Sequence, residues 1–226
     1  KKVTRAPEWK RKGRDEAALC ESHPGQFSIS PDTITFPKLG PLRAVIHRPL
    51  VGTPKICALK RDGDAWFASI VCEQEIADPV PSTKSAVGID RGVVNLIADS
   101  NGRLVPNPRV FEKMQKRVAR AKRAQSHKKK GSKNRDKAGI KAARLLRKAR
   151  RQRDAVLHRE SKHYAKNHGV IFVERLNLRN MTASGSGTIE DPGINVRAKT
   201  ALNRAIQWSG MGRFVEMLRY KVVTEG

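Results

Sequence analysis

Alternation of hydrophobic and polar residues dominates the first third of the chain. Between residues 26 and 76, short alternating runs are separated by Pro, Gly and Asp, and "RDGD" in the last run is a hairpin signal. Several short strands at this spacing predict a small antiparallel β-barrel. The Pro- and Ser-rich stretch "DPVPSTKS", residues 78–85, predicts a boundary, so we expect one domain over 1–80 and another over 81–226.

The second part of the chain mixes strand and helix patterns. Three candidate strands cover 86–90, 92–98 and 103–106, and a fourth lies within "GVIFVERLN", residues 169–177. We expect the first three to form an antiparallel meander. The long connection before the fourth predicts that residues 170–174 pair in parallel with the first strand.

Helical periodicity fills the connection between the third and fourth strands. Residues 108–126 and 137–167 predict two helices, and the loop "SHKKKGSKNRDKAG" between them is too charged to bury. Together they predict an antiparallel helical hairpin over about 108–167. One face of its second helix carries Ala138, Ala142, Leu145, Ala149 and Val156.

The last part of the chain is predicted to be helical, which allows a fold class to be assigned. The stretch "VRAKTALNRAIQWSGMGRFVEMLRYK" predicts one or two helices around Gly210 and Gly212. Strands joined by long helical crossovers indicate an α/β sheet, so the predicted fold class is α/β plus β. Trp66, Trp208 and Phe214 are expected in the core.

Two acidic residues stand at the ends of predicted strands. Asp90 closes the strand in "AVGID", and Glu174 closes the strand in "GVIFVE". If these strands are neighbours and buried, the two carboxylates face one another and need a compensating cation. Oxygen ligands without His or Cys suit Mg²⁺ or Mn²⁺. The sequence therefore predicts a carboxylate metal site.

Two other interpretations of these acids remain open. Each acid could form a salt bridge with the arginine that follows it, Arg91 or Arg175, although adjacent strand residues point to opposite faces. The D-x-G pattern ending at Gly92 also opens the phosphate loop of actin-like and sugar-kinase ATPases. A second phosphate loop is not recognisable downstream.

Charge favours a nucleic-acid partner. The chain carries 47 Lys and Arg against 21 Asp and Glu, a formal net charge of +26, whereas solubility needs only about 2–8. Between residues 103 and 166 there are 24 basic residues against 4 acidic ones, so the predicted hairpin holds most of the excess. A basic protein holding Mg²⁺ between carboxylates indicates phosphodiester hydrolysis with two metal ions.

Cysteine spacing and hydropathy exclude several classes of protein. Cys20, Cys57 and Cys72 form no C-x-x-C pair, so neither a disulfide framework nor a zinc site is expected within these residues, and a reducing cytoplasm is indicated. No apolar run approaches the roughly 20 residues of a membrane span, and no signal peptide is recognisable. We expect no membrane partner.

The motifs together resemble the TnpB family of transposon-encoded, RNA-guided DNA nucleases, which is related to compact type V CRISPR effectors. The matching stretches run in order along the chain: "FPKLGPLRAVIHRPLVG" and "DAWFASIVCEQE" in the wedge barrel, "VGIDRGVVNLIADSNG" as the first RuvC motif, "RRQRDAVLHRESKHYAKNHGVIFVERLNLRNM" before the second, and "NVRAKTALNRAIQWSGMGRFVEMLRYK" after it.

The resemblance implies a ribonuclease H-like (RuvC) domain with three catalytic carboxylates, preceded by part of a wedge barrel. The first carboxylate matches Asp90 and the second matches Glu174, whereas the third acid and a four-cysteine zinc ribbon would follow Gly226. The chain is thus expected to be a middle segment or a degraded copy, truncated at both ends. Apolar surface around Phe214, Met217 and Leu218 is then expected to be uncovered.

The implied function is Mg²⁺-dependent cleavage of target DNA directed by a guide RNA. The alternative is a guided nucleic-acid-binding protein or repressor without cleavage. Guided nucleases grip a heteroduplex through its backbone, which requires many basic residues. The expected contacts are Lys38, Arg43 and Arg48 in the barrel, Lys128, Lys129, Lys130, Lys133 and Arg135 in the hairpin loop, and Arg144, Lys148 and Arg151 along the second helix.

Overall fold

The computed structural model describes residues 17–21, 26–37, 39–76, 83–188 and 190–225. Two compact units divide between Glu75 and Ile76, and each is described by itself below. Residues 78–82 of the predicted linker lie outside the described residues.

The first unit consists of two three-stranded antiparallel sheets. One sheet has the order β1 (Ala17–Glu21), β5 (Thr53–Asp62), β6 (Ala65–Glu73), and the other has β2 (Ser28–Ser30), β3 (Thr33–Phe36), β4 (Gly40–Arg43). The sheets share a core because alternate residues of β3 and β5 point inwards: Ile34, Phe36, Cys57 and Leu59.

Sequence patterns predicted most, but not all, of this unit. The hairpin at "RDGD" is confirmed, with Asp62 paired to Ala65 and Gly63 at a φ of 66°. Strand β1 was missed, because "AALCE" does not alternate and its strand form depends on pairing with β5. The expected burial of Trp66 is wrong, since that residue is 55% exposed.

The second unit is built on a four-stranded mixed sheet. Its order is β10 (Val170–Val173), β7 (Ala86–Asp90), β8 (Asn95–Asp99), β9 (Leu104–Pro106). Strand β10 pairs with β7 in parallel, and the other pairs are antiparallel, so the predicted meander and parallel pairing are confirmed.

The second strand of the meander begins at Asn95 rather than at residue 92. Gly92 lies in the turn, where a Cβ atom would stand only 2.7 Å from the backbone oxygen of Asn95. Any larger residue would have to displace backbone there, so the tight turn after Asp90 requires glycine.

The basic hairpin is confirmed as α1 (Val110–Ser126) and α2 (Lys133–Asn167). The predicted apolar face packs inwards, with Ala142 and Ala149 fully buried. Helix α2 begins earlier than predicted because Ser132 caps it, accepting a hydrogen bond from the backbone N–H of Arg135 at 3.2 Å. Lys133 and Arg135 therefore lie in the first helical turn, not in the loop.

Three further helices follow the sheet: α3 (Leu178–Met181), α4 (Val196–Ser209) and α5 (Met211–Glu225). Gly210 separates the last two in a left-handed conformation with a φ of 78°. No helix in the described part of the chain is long and apolar enough to cross a membrane.

The core of the second unit lies between the sheet and two helices. Leu157 and Tyr164 of α2 and Phe214 of α5 pack against the buried strand residues Val87 and Ile97. The expectation that Phe214, Met217 and Leu218 are uncovered is wrong, because the sheet and α2 already bury all three to 4% exposure or less.

Candidate catalytic site

The sheet register places Asp90 beside Glu174. Ile89 and Val173 are partners in the parallel pairing of β7 and β10. Asp90 follows Ile89 directly in the chain, and Glu174 follows Val173. Neighbouring strands lie about 4.8 Å apart, so the two side chains leave the sheet at adjacent points. Both acids line one open hollow, together with Gly88 and Phe172.

Both carboxylates of this pair are exposed, which corrects the expectation of buried acids. The physical reason is the alternation of side chains across the sheet: Val87 and Ile89 point into the core, whereas Asp90 points to the opposite face, where Val170 and Phe172 of β10 are 51% and 65% exposed. The acids therefore avoid most of the desolvation cost of a buried carboxylate. A hydrated cation and an extended phosphodiester can both reach them from solvent.

Arg91 is the buried residue beneath the pair. Its Nη1 donates to the backbone oxygen of Met211 at 3.1 Å, and its Nη2 donates to the backbone oxygen of Glu174. Burial lowers the pKa of Arg91, and the charges of Glu174 and Asp90 partly offset that effect. The guanidinium thus holds backbone carbonyls and joins the end of β10 to the start of α5, a role that sequence reasoning missed.

Asn107 fixes the turn that follows Asp90. Its Nδ2 donates to the backbone oxygen of Val93 at 2.8 Å, and its backbone N–H donates to the oxygen of Val94 at 3.2 Å. These bonds replace ladder hydrogen bonds in the segment between Asp90 and β8. The sequence carries no local signal for this contact, because Asn107 and Val93 lie in different elements.

The donor set at the pair suits a hard divalent cation. Mg²⁺ is commonly held by one or two carboxylates and keeps several water ligands, so two exposed carboxylates on an open pocket fit that ion. Among the described residues no group of three or more His, Cys, Asp and Glu side chains could hold a metal. Glu216 is an exposed residue of α5 and belongs to no such group.

A buried polar network ties α2 to the sheet near this site. Tyr164 donates to Asp99 at 2.8 Å, and Arg103 binds both Tyr164 at 3.1 Å and the buried Glu160 at 2.5 Å. Burial, with the hydrogen bond to Asp99, raises the pKa of Tyr164 to about 12. Burial acts to raise the pKa of Glu160, but hydrogen bonds from Arg103 and Arg159 lower it overall.

The predicted nucleic-acid contacts are mostly exposed side chains. Arg135 is half-buried instead, and its Nη1 donates to the backbone oxygen of Lys128 at 3.0 Å, so it helps to close the hairpin loop. Lys38 lies outside the described residues. The exposed ones are Arg43, Arg48, Lys128, Lys129, Lys130, Lys133, Arg144, Lys148 and Arg151.

Comparison with known proteins places the chain among transposon-encoded proteins. Residues 69–185 match the family model OrfB_IS605, described as "Probable transposase". A protein of Escherichia coli (strain K12) named "Putative RNA-guided DNA endonuclease InsQ" is 34% identical over 97% of this chain and 54% of its own length.

Two further relatives carry the same kind of name, "Putative RNA-guided DNA endonuclease". The protein of Streptomyces pristinaespiralis is 31% identical over 100% of this chain and 53% of its own length. The protein of Mycobacterium tuberculosis (strain CDC 1551 / Oshkosh) is 30% identical over 80% of this chain and 43% of its own length. The chain spans about half the length of the curated relatives it matches.

Proposed function

Because the chain belongs to the OrfB_IS605 family, we propose that it forms the catalytic part of an RNA-guided, Mg²⁺-dependent DNA endonuclease of transposon origin. The family membership confirms the resemblance to TnpB proteins that the motifs indicated. The observation that carries the proposal is the position of Asp90 and Glu174 at the carboxyl ends of two adjacent parallel strands. In α/β sheets this edge is where sites are built.

The two carboxylates are the proposed ligands of the catalytic metal. Bound Mg²⁺ would supply a lowered pKa for a coordinated water and would neutralise charge on the phosphate. Asp90 and Glu174 would hold that ion through their carboxylate oxygens. Arg91 keeps the two strand ends at a constant separation, because it binds the backbone at Glu174 from below. Asn107 holds the turn between Asp90 and β8, so the backbone that follows Asp90 is fixed.

The helical hairpin is the proposed binding surface for the guide RNA and the target DNA. Its exposed charged side chains are mostly Lys and Arg, as at Lys128, Lys129 and Lys130, and such a surface neutralises phosphates without reading bases. Helix α2 has 35 residues and is about 50 Å long, so it can follow a duplex over several phosphates of each strand. The barrel residues Lys38, Arg43 and Arg48 are proposed contacts to the guide RNA.

The test is a cleavage assay on the full-length protein with its guide RNA, target DNA and Mg²⁺. Asp90→Asn and Glu174→Gln remove one charge each without changing side-chain size. We expect each to abolish cleavage while binding of guide and target is retained. Asp136→Asn makes the same change at an exposed acid of the hairpin and should leave cleavage unchanged.

A guided binding protein without cleavage is the second candidate. One observation favours it: among the described residues, no third side chain joins Asp90 and Glu174 to form a metal-binding group. Specific, guide-dependent binding with no cleavage at any Mg²⁺ or Mn²⁺ concentration would select it over the nuclease. Cleavage that survives Asp90→Asn would show that the site lies elsewhere.

A further inference from the structure

A second cavity lies in the same unit, at the junction of α1, α2 and α4. Its volume is about 310 Å³, and its lining differs from that of the hollow holding Asp90 and Glu174. The lining combines charged and aromatic side chains: Arg109, Glu112, Arg153, Arg204, Phe111 and Trp208. None of these residues has a role in the function proposed above.

The charge of this cavity favours an anion. Three guanidinium groups line it, on Arg109, Arg153 and Arg204; Glu112 is the carboxylate of the lining, and Arg153 is also paired with Asp154 outside it. Arg109 stands 4.0 Å from Glu112 with both side chains about half exposed, a pair that binds weakly in water. Arg204 is exposed at the rim. Guanidinium groups bind phosphate oxygens in pairs and in a fixed geometry, so this set suits a phosphate.

The backbone at Arg109 is held in an uncommon conformation. Its φ of 46° is in the left-handed region, which residues with a Cβ adopt at a cost. Asn107 maintains it, because its Oδ1 accepts the backbone N–H of Arg109 at 3.0 Å. An arginine at a position that glycine would occupy without strain indicates that the side chain is needed at the rim of the cavity.

Aromatic rings form the wall beside these arginines. Phe111 and Trp208 stack with ring centroids 3.8 Å apart and planes 9° from parallel. Arg153 lies over the Trp208 ring at 5.9 Å, and its pairing with Asp154 at 2.7 Å keeps it in place. Phe111 and Arg153 thus cover the faces of Trp208, so a base would contact the stacked pair along its ring edges, beside the arginines that would bind its phosphate.

We propose that this cavity binds one unpaired nucleotide of a single nucleic-acid strand, with the phosphate on Arg109 and Arg204 and the base along Phe111 and Trp208. The volume of about 310 Å³ is at the lower end of small-ligand sites, which admits one nucleotide and excludes a duplex. The inference rests on the proposed function only in drawing its ligand from nucleic acid, since it requires neither metal nor cleavage.

Trp208 provides a local reporter. With Trp9→Phe and Trp66→Phe, the chain retains Trp208 as its single tryptophan. The probes are AMP, dAMP, adenosine and inorganic phosphate, added without Mg²⁺ or guide RNA. We expect saturable quenching by the nucleotides, with adenosine and phosphate each at least tenfold weaker. Tighter binding of AMP identifies the strand as RNA, and tighter binding of dAMP identifies it as DNA.

Substitutions test whether the arginines hold the phosphate. Arg204→Gln should weaken AMP binding at least tenfold, whereas Arg197→Gln, the same change at an exposed arginine of α4 outside the cavity, should not. Arg109→Gly removes the side chain and relieves its strained φ, so it should weaken binding while the melting temperature is unchanged or higher.

Three results would overturn the proposal: no saturable quenching, inorganic phosphate binding as tightly as AMP, or Arg204→Gln binding like the parent. Each of these can occur while guided cleavage remains intact and sensitive to Asp90→Asn. Conversely, a protein that never cleaves can still bind AMP in this cavity. Failure of this inference is therefore distinguishable from failure of the proposed function.

Discussion

The guanidinium of Arg91 donates a hydrogen bond to the backbone carbonyl of Glu174, the residue whose carboxylate stands next to that of Asp90. Arg91 follows Asp90 directly in the chain, yet it is buried where Asp90 is exposed. The end of β7 thus supplies the exposed acid Asp90, and the next residue, the buried Arg91, supports the backbone of Glu174.

Arg91→Lys tests this support. A lysine keeps the charge but cannot donate to the carbonyls of both Glu174 and Met211 in the fork geometry of a guanidinium. We expect Mn²⁺ affinity, measured by electron paramagnetic resonance on the folded chain, to fall about tenfold, as it does when groups that orient metal ligands are lost. Arg175→Lys, at the exposed arginine after Glu174, is the matched control and should not change it. Equal affinity in both variants would contradict the positioning role.

Replacement of Lys128, Lys129 and Lys130 by alanine tests the hairpin loop. Each phosphate contact contributes about 0.7–0.9 to the slope of log affinity against log salt concentration. If the loop contacts a phosphate with each lysine, the slope for an RNA–DNA heteroduplex should flatten by about 2–3. The triple change to arginine keeps the charge and should keep the slope. If the alanine variant and the parent have the same slope, the three lysines of the loop face solvent and contact no phosphate.

Glu160→Gln tests the buried network between α2 and the sheet. The folded-state pKa of Glu160 is lowered below its ordinary value of 4.5, so its charge stabilises the fold above that value and the effect is lost as pH falls through the folded pKa. Loss of charged hydrogen bonds to Arg103 should reduce the unfolding free energy by about 2 kcal/mol at pH 7.

The measurement for Glu160→Gln is urea denaturation at pH 7 and at pH 3. The difference between parent and variant should shrink at the lower pH, because pH 3 lies below the ordinary pKa of 4.5 and the carboxylate of the unfolded parent is then protonated. Glu112→Gln, at an exposed acid of α1, should behave like the parent at both values. A difference that is independent of pH would mean that packing, and not charge, makes Glu160 important.

The 226-residue chain by itself should bind nucleic acid but cleave it poorly. Asp90 and Glu174 supply at most two negative charges, too few to hold two Mg²⁺ ions firmly, and hydrolysis by that mechanism needs both oxygens of the scissile bond stabilised. The assay is Mg²⁺-dependent nicking of labelled DNA. Strong cleavage that is lost in both Asp90→Ala and Glu216→Ala would show that Glu216 completes the site.

Sequence periodicity predicted the elements that depend on local patterns. The meander from Ala86 to Pro106, the hairpin of α1 and α2, and the parallel return at Val170 follow from alternation, helical spacing and crossover length. The element boundaries that failed depend on side-chain contacts. Helix α2 begins at Lys133 because Ser132 caps it, and β8 begins late because Asn107 holds the preceding turn.

Residue type and strand position alone predicted that Asp90 and Glu174 lie side by side, because parallel strands bring their carboxyl ends to the same edge of a sheet. Only the tertiary structure decided that both acids are exposed, since that depends on which face of the sheet the helices cover. It also decided the role of Arg91 and the cavity at Arg109, because residues from separate elements meet there and no local pattern records such contacts.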